Sequence, residues 1–103
     1  MATTRIASGR TTPGSTNWQP FVGGTTGIYV DVDTSAANLT GSPVYVTSIG
    51  GTSNQWSTTG ASSVYIGTAT GFRIYIRYAD GGPITPATAN GFQWHINWIA
   101  MEV

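Results

Sequence analysis

The segment GFRIYIRYADGG, residues 71–82, decides how this chain folds. Phe72, Ile74, Ile76 and Tyr78 alternate with Arg73, Tyr75 and Arg77. A period of two sends the first set to a buried face and the second outward, which is the pattern of a β-strand. Asp80-Gly81 then punctuates the strand with a turn. Upstream, TGIYVDVDTS repeats the pattern, with Ile28, Val30 and Val32 opposing Tyr29, Asp31 and Asp33. SPVYVTSIGG gives another strand, with Val44, Val46 and Ser48 on one side. ASSVYIGTATG reads as a short strand and turn, and Arg5–Arg10 as a first short strand. TTPGSTNWQPF and DGGPITPATANG read as loops, the second from its Pro and Gly residues. No segment shows helical periodicity. The expected fold is all-β, a six- to seven-stranded antiparallel β-sandwich forming a single domain over residues 1–103. The first four residues, MATT, are expected to fray.

The closing segment NGFQWHINWIAMEV, residues 90–103, sets a problem. As a strand it places Phe92, Trp94, Ile96, Trp98 and Ala100 on one face, and Gln93, His95, Asn97, Ile99 and Met101 on the other. The second face begins polar and ends apolar. A strand with one wet side stays polar on that side, so something other than water is expected to cover Ile99 and Met101.

Composition narrows the function classes. Only 8% of the 103 residues are charged, and the formal net charge is zero. Such a chain has no basic field to hold phosphates, so nucleic acid and anionic lipid are poor partners. There is no cysteine, which removes disulfides, thiolate catalysis and Cys-based metal sites. No apolar run approaches membrane-spanning length, and MATTRIASGR lacks the apolar core of a signal peptide. Four Trp, five Tyr and three Phe are a heavy aromatic load. Aromatics among hydroxyls and amides suit a sugar-binding surface, and they equally suit a sandwich core.

The candidate sites follow from that chemistry. In YADGG, Asp80 offers a carboxylate able to accept two sugar hydroxyls, and Tyr78 offers an apolar face for a pyranose ring. In TSNQW, Asn54 and Trp56 lie in a polar loop, where an uncovered Trp is costly. Trp56 is expected either to pack back as a lid, the reading favoured here, or to stack on ligand. His95, the only histidine, sits between two Trp and is expected to be a packed or interface residue rather than catalytic. Asp31 and Asp33 alternate on one face as cation ligands would, but DVDTSAAN lacks the central Gly and distal Glu of a calcium loop. No metal or other cofactor is expected. Arg77 is expected to reach a neighbouring subunit or to pair with an acid such as Glu102.

TGFRIYIRYADG followed by WHINWIAMEV resembles the end of an H-type lectin domain. The matching features are Gly71-Phe72, the turn from Tyr78 to Asp80, and Ile96-Asn97-Trp98-Ile99-Ala100. Ser8, Gly9 and Trp18 are similar to that family's N-terminal Ser-Gly element and the Trp after it, and SPVYVTSIGG sits where the family has a Pro-hydrophobic strand. The resemblance implies a six-stranded antiparallel sandwich, usually trimeric, that binds galactose or N-acetylgalactosamine near subunit boundaries. Ile99 and Met101 would then face a neighbouring copy. The family's sugar-contacting Trp falls at Ala79 or Tyr78, its polar contact falls at Asp80, and its Arg from an adjoining subunit has no counterpart in the uncharged STTGASS. The expected function is a non-catalytic lectin, multivalent through self-association, with glycans and copies of itself as partners. The contacts would be Tyr78, Asp80, Asn54 and Trp56. The alternative is a trimeric structural or adhesion tip of a fibre. A hydrolase has no constellation to support it.

Overall fold

In the computed structural model, which describes residues 5–103, eight strands form two antiparallel sheets. The smaller sheet has the order β1 (Ile6–Arg10), β8 (His95–Met101), β4 (Val44–Gly50). The larger joins β2 (Gln19–Pro20), β3 (Ile28–Asp33) and β7 (Gly71–Tyr78). Two further strands share the far edge of β7: β5 (Thr58–Thr59) pairs with Tyr78 and Arg77, and β6 (Val64–Thr68) pairs with Ile74, Arg73 and Gly71. Gly60 divides β5 from β6. Its φ of +108° suits glycine, and a Cβ there would fall on the Tyr75 carbonyl oxygen. The MATT segment lies outside the described residues.

The alternation in the sequence becomes the core directly. Register pairs Ile28 with Ile76, Val30 with Ile74 and Val32 with Phe72, so one face of β3 and β7 is continuously aliphatic and aromatic. Ile96, Trp98 and Ala100 of β8, with Tyr45 and Thr47 of β4, close the sandwich from the other sheet. Val44, Val46 and Ser48 do share one side, and it is the outer one. Two buried polar groups are satisfied: the Tyr45 hydroxyl bonds the Thr68 carbonyl at 2.5 Å and the Thr34 hydroxyl at 2.8 Å. Gly9 has a packing reason, because a Cβ there would lie 2.7 Å from the Trp98 ring. The Trp98 indole therefore lies against the β1 backbone.

The structure corrects one expectation in the segment before β8. DGGPITPATANG is not wholly a loop, because Pro86–Gly91 forms one short helix, α1. Thr85 caps it by accepting the Thr88 amide, and Pro86 occupies the first turn, where a missing N–H costs nothing. Six residues are too few to display a 3.6-residue period. Gln93, at φ +56°, then turns the chain into β8, so Phe92 and Trp94 precede the strand proper. Trp94 is still fully buried, at 0% exposure. Its Nε1 donates to the Ser53 carbonyl at 2.8 Å, and its own carbonyl accepts from Trp18 Nε1 at 3.1 Å.

Candidate functional site

The four residues singled out from the sequence lie on two abutting segments. A tight turn at Gln55–Ser57 leads into β5, and a hairpin turn follows β7. The Ala79 amide donates to the Ser57 carbonyl at 2.9 Å, and Thr58 pairs with Tyr78, so the two segments are stitched together. Asn54 takes a left-handed conformation at φ +67°, which asparagine tolerates well, and its carbonyl accepts the Ser57 amide at 3.1 Å. From below, the Trp94 indole holds the loop through Ser53.

Trp56 does not pack back as a lid, contrary to the reading favoured from the sequence. It is 89% exposed. The tight turn points its indole away from the core, and the role of filling that end belongs to Trp94. Tyr78 is half-buried, with its ring edge-on to Trp94 at 5.8 Å between centroids. Asp80 is exposed, and its Oδ1 accepts the Gly82 amide at 2.8 Å. Its Oδ2 has no partner among the described residues. The open apolar platform at this edge is therefore Trp56, with the Asp80 carboxylate on the adjoining turn.

The remaining titratable groups are mostly occupied. Asp31 forms a two-pronged pair with Arg73, at 2.6 and 2.9 Å. Asp33 accepts the Ser35 amide at 2.9 Å. Among the described residues no three His, Asp or Glu side chains cluster as a metal site would require. The His95 Nδ1 donates to the Gln93 carbonyl at 2.9 Å, and no carboxylate among the described residues bonds the ring. Glu102 does not pair with Arg77. It accepts from the Thr40 amide and hydroxyl, at 2.9 and 3.0 Å, and lies 3.8 Å from Arg5. Arg77 has no carboxylate partner among the described residues.

Arg73 draws the Asp31 carboxyl below its ordinary range, chiefly through the hydrogen bond and further through its charge. Ser35 lowers Asp33, and Thr40 is the main cause of a lowered Glu102. Each group is depressed in the folded state, so each stabilises the fold above its unfolded value, about 4. That contribution disappears as pH falls through the folded values. The urea midpoint should be flat from about pH 7 to 5 and drop below about pH 4, with Asp31→Asn shallowing the drop.

The sequence reading missed a second feature. On the outer face of the larger sheet, Phe21, Tyr29 and Tyr65 surround Tyr75, with centroids 5.6, 5.7 and 5.0 Å from its ring. The Arg73 guanidinium sits 4.3 Å over the Tyr29 ring. Beside this cluster runs a groove of about 770 Å³, reaching Thr59, Arg77 and Gly81. Its signal was the outward set of the alternating strands, where Tyr29 and Tyr75 stand at positions that polar residues normally fill. No family model matches the chain, and no curated protein matches it either.

Proposed function

We propose that this chain is a non-catalytic carbohydrate-binding module of the galactose or N-acetylgalactosamine type, made multivalent by self-association. The observation that carries the reading is Trp56, a large aromatic left open to solvent on a loop that is otherwise well anchored. A fully exposed indole on an anchored loop is a flat apolar surface on which a ligand can stack. A pyranose presents one face of C–H groups and a rim of hydroxyls. Trp56 offers a surface for that face, and Asp80 Oδ2 offers an acceptor for the rim. Asn54 can add an amide. Half-buried Tyr78 is better placed to support the site than to form its platform.

A glycan array tests this. Trp56→Ala should weaken binding about 10- to 100-fold, the usual loss for a central aromatic anchor. Asp80→Asn should weaken it as well, and it keeps an oxygen for the Gly82 amide, so the turn survives. Binding that persists unchanged in both variants would place the site elsewhere.

A second reading, a structural or adhesion tip of a fibre, draws on a different observation. On the outer face of the smaller sheet, Ile6, Val44, Val46, Ile99 and Met101 form an exposed apolar patch. Either reading uses this patch for assembly. A stable oligomer that ignores every glycan tested would favour the fibre tip.

A further inference from the structure

We infer that the groove on the outer face of the larger sheet is a separate ligand site, and that it takes a sugar bearing one carboxylate, such as a uronic or sialic acid. The inference rests on the carbohydrate reading above but concerns different residues. Three observations support it.

The first is shape. An open hollow of about 770 Å³ is within the size range of small-ligand sites. The second is the lining. Tyr65, Tyr75 and Phe21 present ring surface, and Tyr75 is held edge-to-face by both neighbours, at 5.0 and 5.6 Å. Rings fixed in this way lose little freedom when a pyranose settles on them. Thr59 and Ser63 supply hydroxyls at the edge.

The third is charge. Two arginines point outward from β7, and they are not equivalent. Arg73 is neutralised by Asp31 through both prongs of its guanidinium. Arg77 lines the groove without a carboxylate partner among the described residues. In a chain with four arginines and no net charge, one uncommitted guanidinium in an aromatic hollow is a specific feature. Its planar fork matches a carboxylate. One positive charge balances one negative charge, so a dianionic phosphate would keep an excess charge against the tyrosines. Ring faces together with a single cation select a monoanionic pyranoside.

The test is a two-dimensional amide NMR titration of the isotope-labelled chain with methyl galacturonide, methyl sialoside and neutral methyl galactoside. The expected result is saturable shifts at Phe21, Thr59, Tyr65 and Tyr75 with at least one acidic glycoside. The neutral glycoside should be weaker by about tenfold or more, and Arg77→Gln should weaken the acidic glycoside about 10- to 100-fold. Arg77 is exposed, so that variant should keep the parent spectrum. Tyr65→Ala gives an independent loss of ring surface. Equal response to acidic and neutral glycosides, or unchanged binding in Arg77→Gln, overturns the inference. If neutral glycans act at Trp56 while the groove stays silent, the groove site falls and the carbohydrate module stands. If no saccharide shifts any resonance, both fall.

Discussion

Trp94→Ala is expected to destabilise the domain severely, whereas Trp56→Ala should be nearly silent in stability. The two indoles are chemically identical and differ only in surroundings. Trp94 is wholly buried, stacked on Phe92 at 5.6 Å, and edge-on to Tyr78. Removing it opens a cavity at the end of the sandwich, and large aromatic truncations in cores cost about 3–5 kcal/mol. It also removes the hydrogen bond to the Ser53 carbonyl, which is worth about 1 kcal/mol. Total stabilities of domains this size are about 5–15 kcal/mol. A thermal midpoint should therefore fall by more than about 15 °C. Trp56, at 89% exposure, has almost no packing to lose, and its removal should stay within about 0.5 kcal/mol. Near-equal losses from the two changes would contradict this assignment of core and surface. Trp94→Ala should also loosen the loop that carries Trp56, since the Nε1 bond to Ser53 ties that loop to the core.

These two residues show how far the sequence could be read. Strands β3, β7 and β8 were legible because a period of two is written locally: Ile28, Val30 and Val32 needed no knowledge of their partners. The inward placement of Trp94, Ile96 and Trp98 followed in the same way. Trp56 was not legible, because its exposure depends on the tight turn at Gln55–Ser57 and on the Ala79–Ser57 hydrogen bond, both fixed by a distant hairpin. The helix at Pro86–Gly91 escaped because it rests on a Thr cap and a proline rather than on periodicity. The adjacency of Asn54 and Trp56 to Tyr78 and Asp80 follows from the pairing of β5 with β7, which two residues of strand could not announce. The aromatic groove was half-written: Tyr29 and Tyr75 were visibly outward, but Phe21 and Tyr65 come from elements whose placement only the fold determines.

Under the proposed self-association, Ile99→Glu is expected to leave a folded monomer of 10.8 kDa. Register puts Ile6, Met101 and Val44 in one row across the smaller sheet, and Ser8, Ile99 and Val46 in the next. Ile99 is thus at the middle of the patch, with Val46 beside it at 64% exposure and Ile6 diagonal to it at 68%. Toward the other end of the strands the same face becomes Arg10, Asn97 and Ser48, which supplies a polar rim. A specific interface buries roughly 800 Å² per partner, so this patch would form its core rather than its whole extent. A carboxylate in that core would be desolvated, and an unpaired buried charge costs about 3–5 kcal/mol. In the isolated protomer Ile99 is already 53% exposed, so the same change costs the fold little. Light scattering should show the mass fall, while the variant keeps a cooperative thermal transition whose midpoint no longer depends on concentration. Single-site glycan affinity should be unchanged, but signal on a dense glycan surface should drop by about 10²- to 10⁴-fold, because linked sites bind the second sugar at high effective concentration. A parent chain that is already monomeric at about 100 μM, far above the Kd of a stable assembly, would remove the self-association face and multivalency along with it.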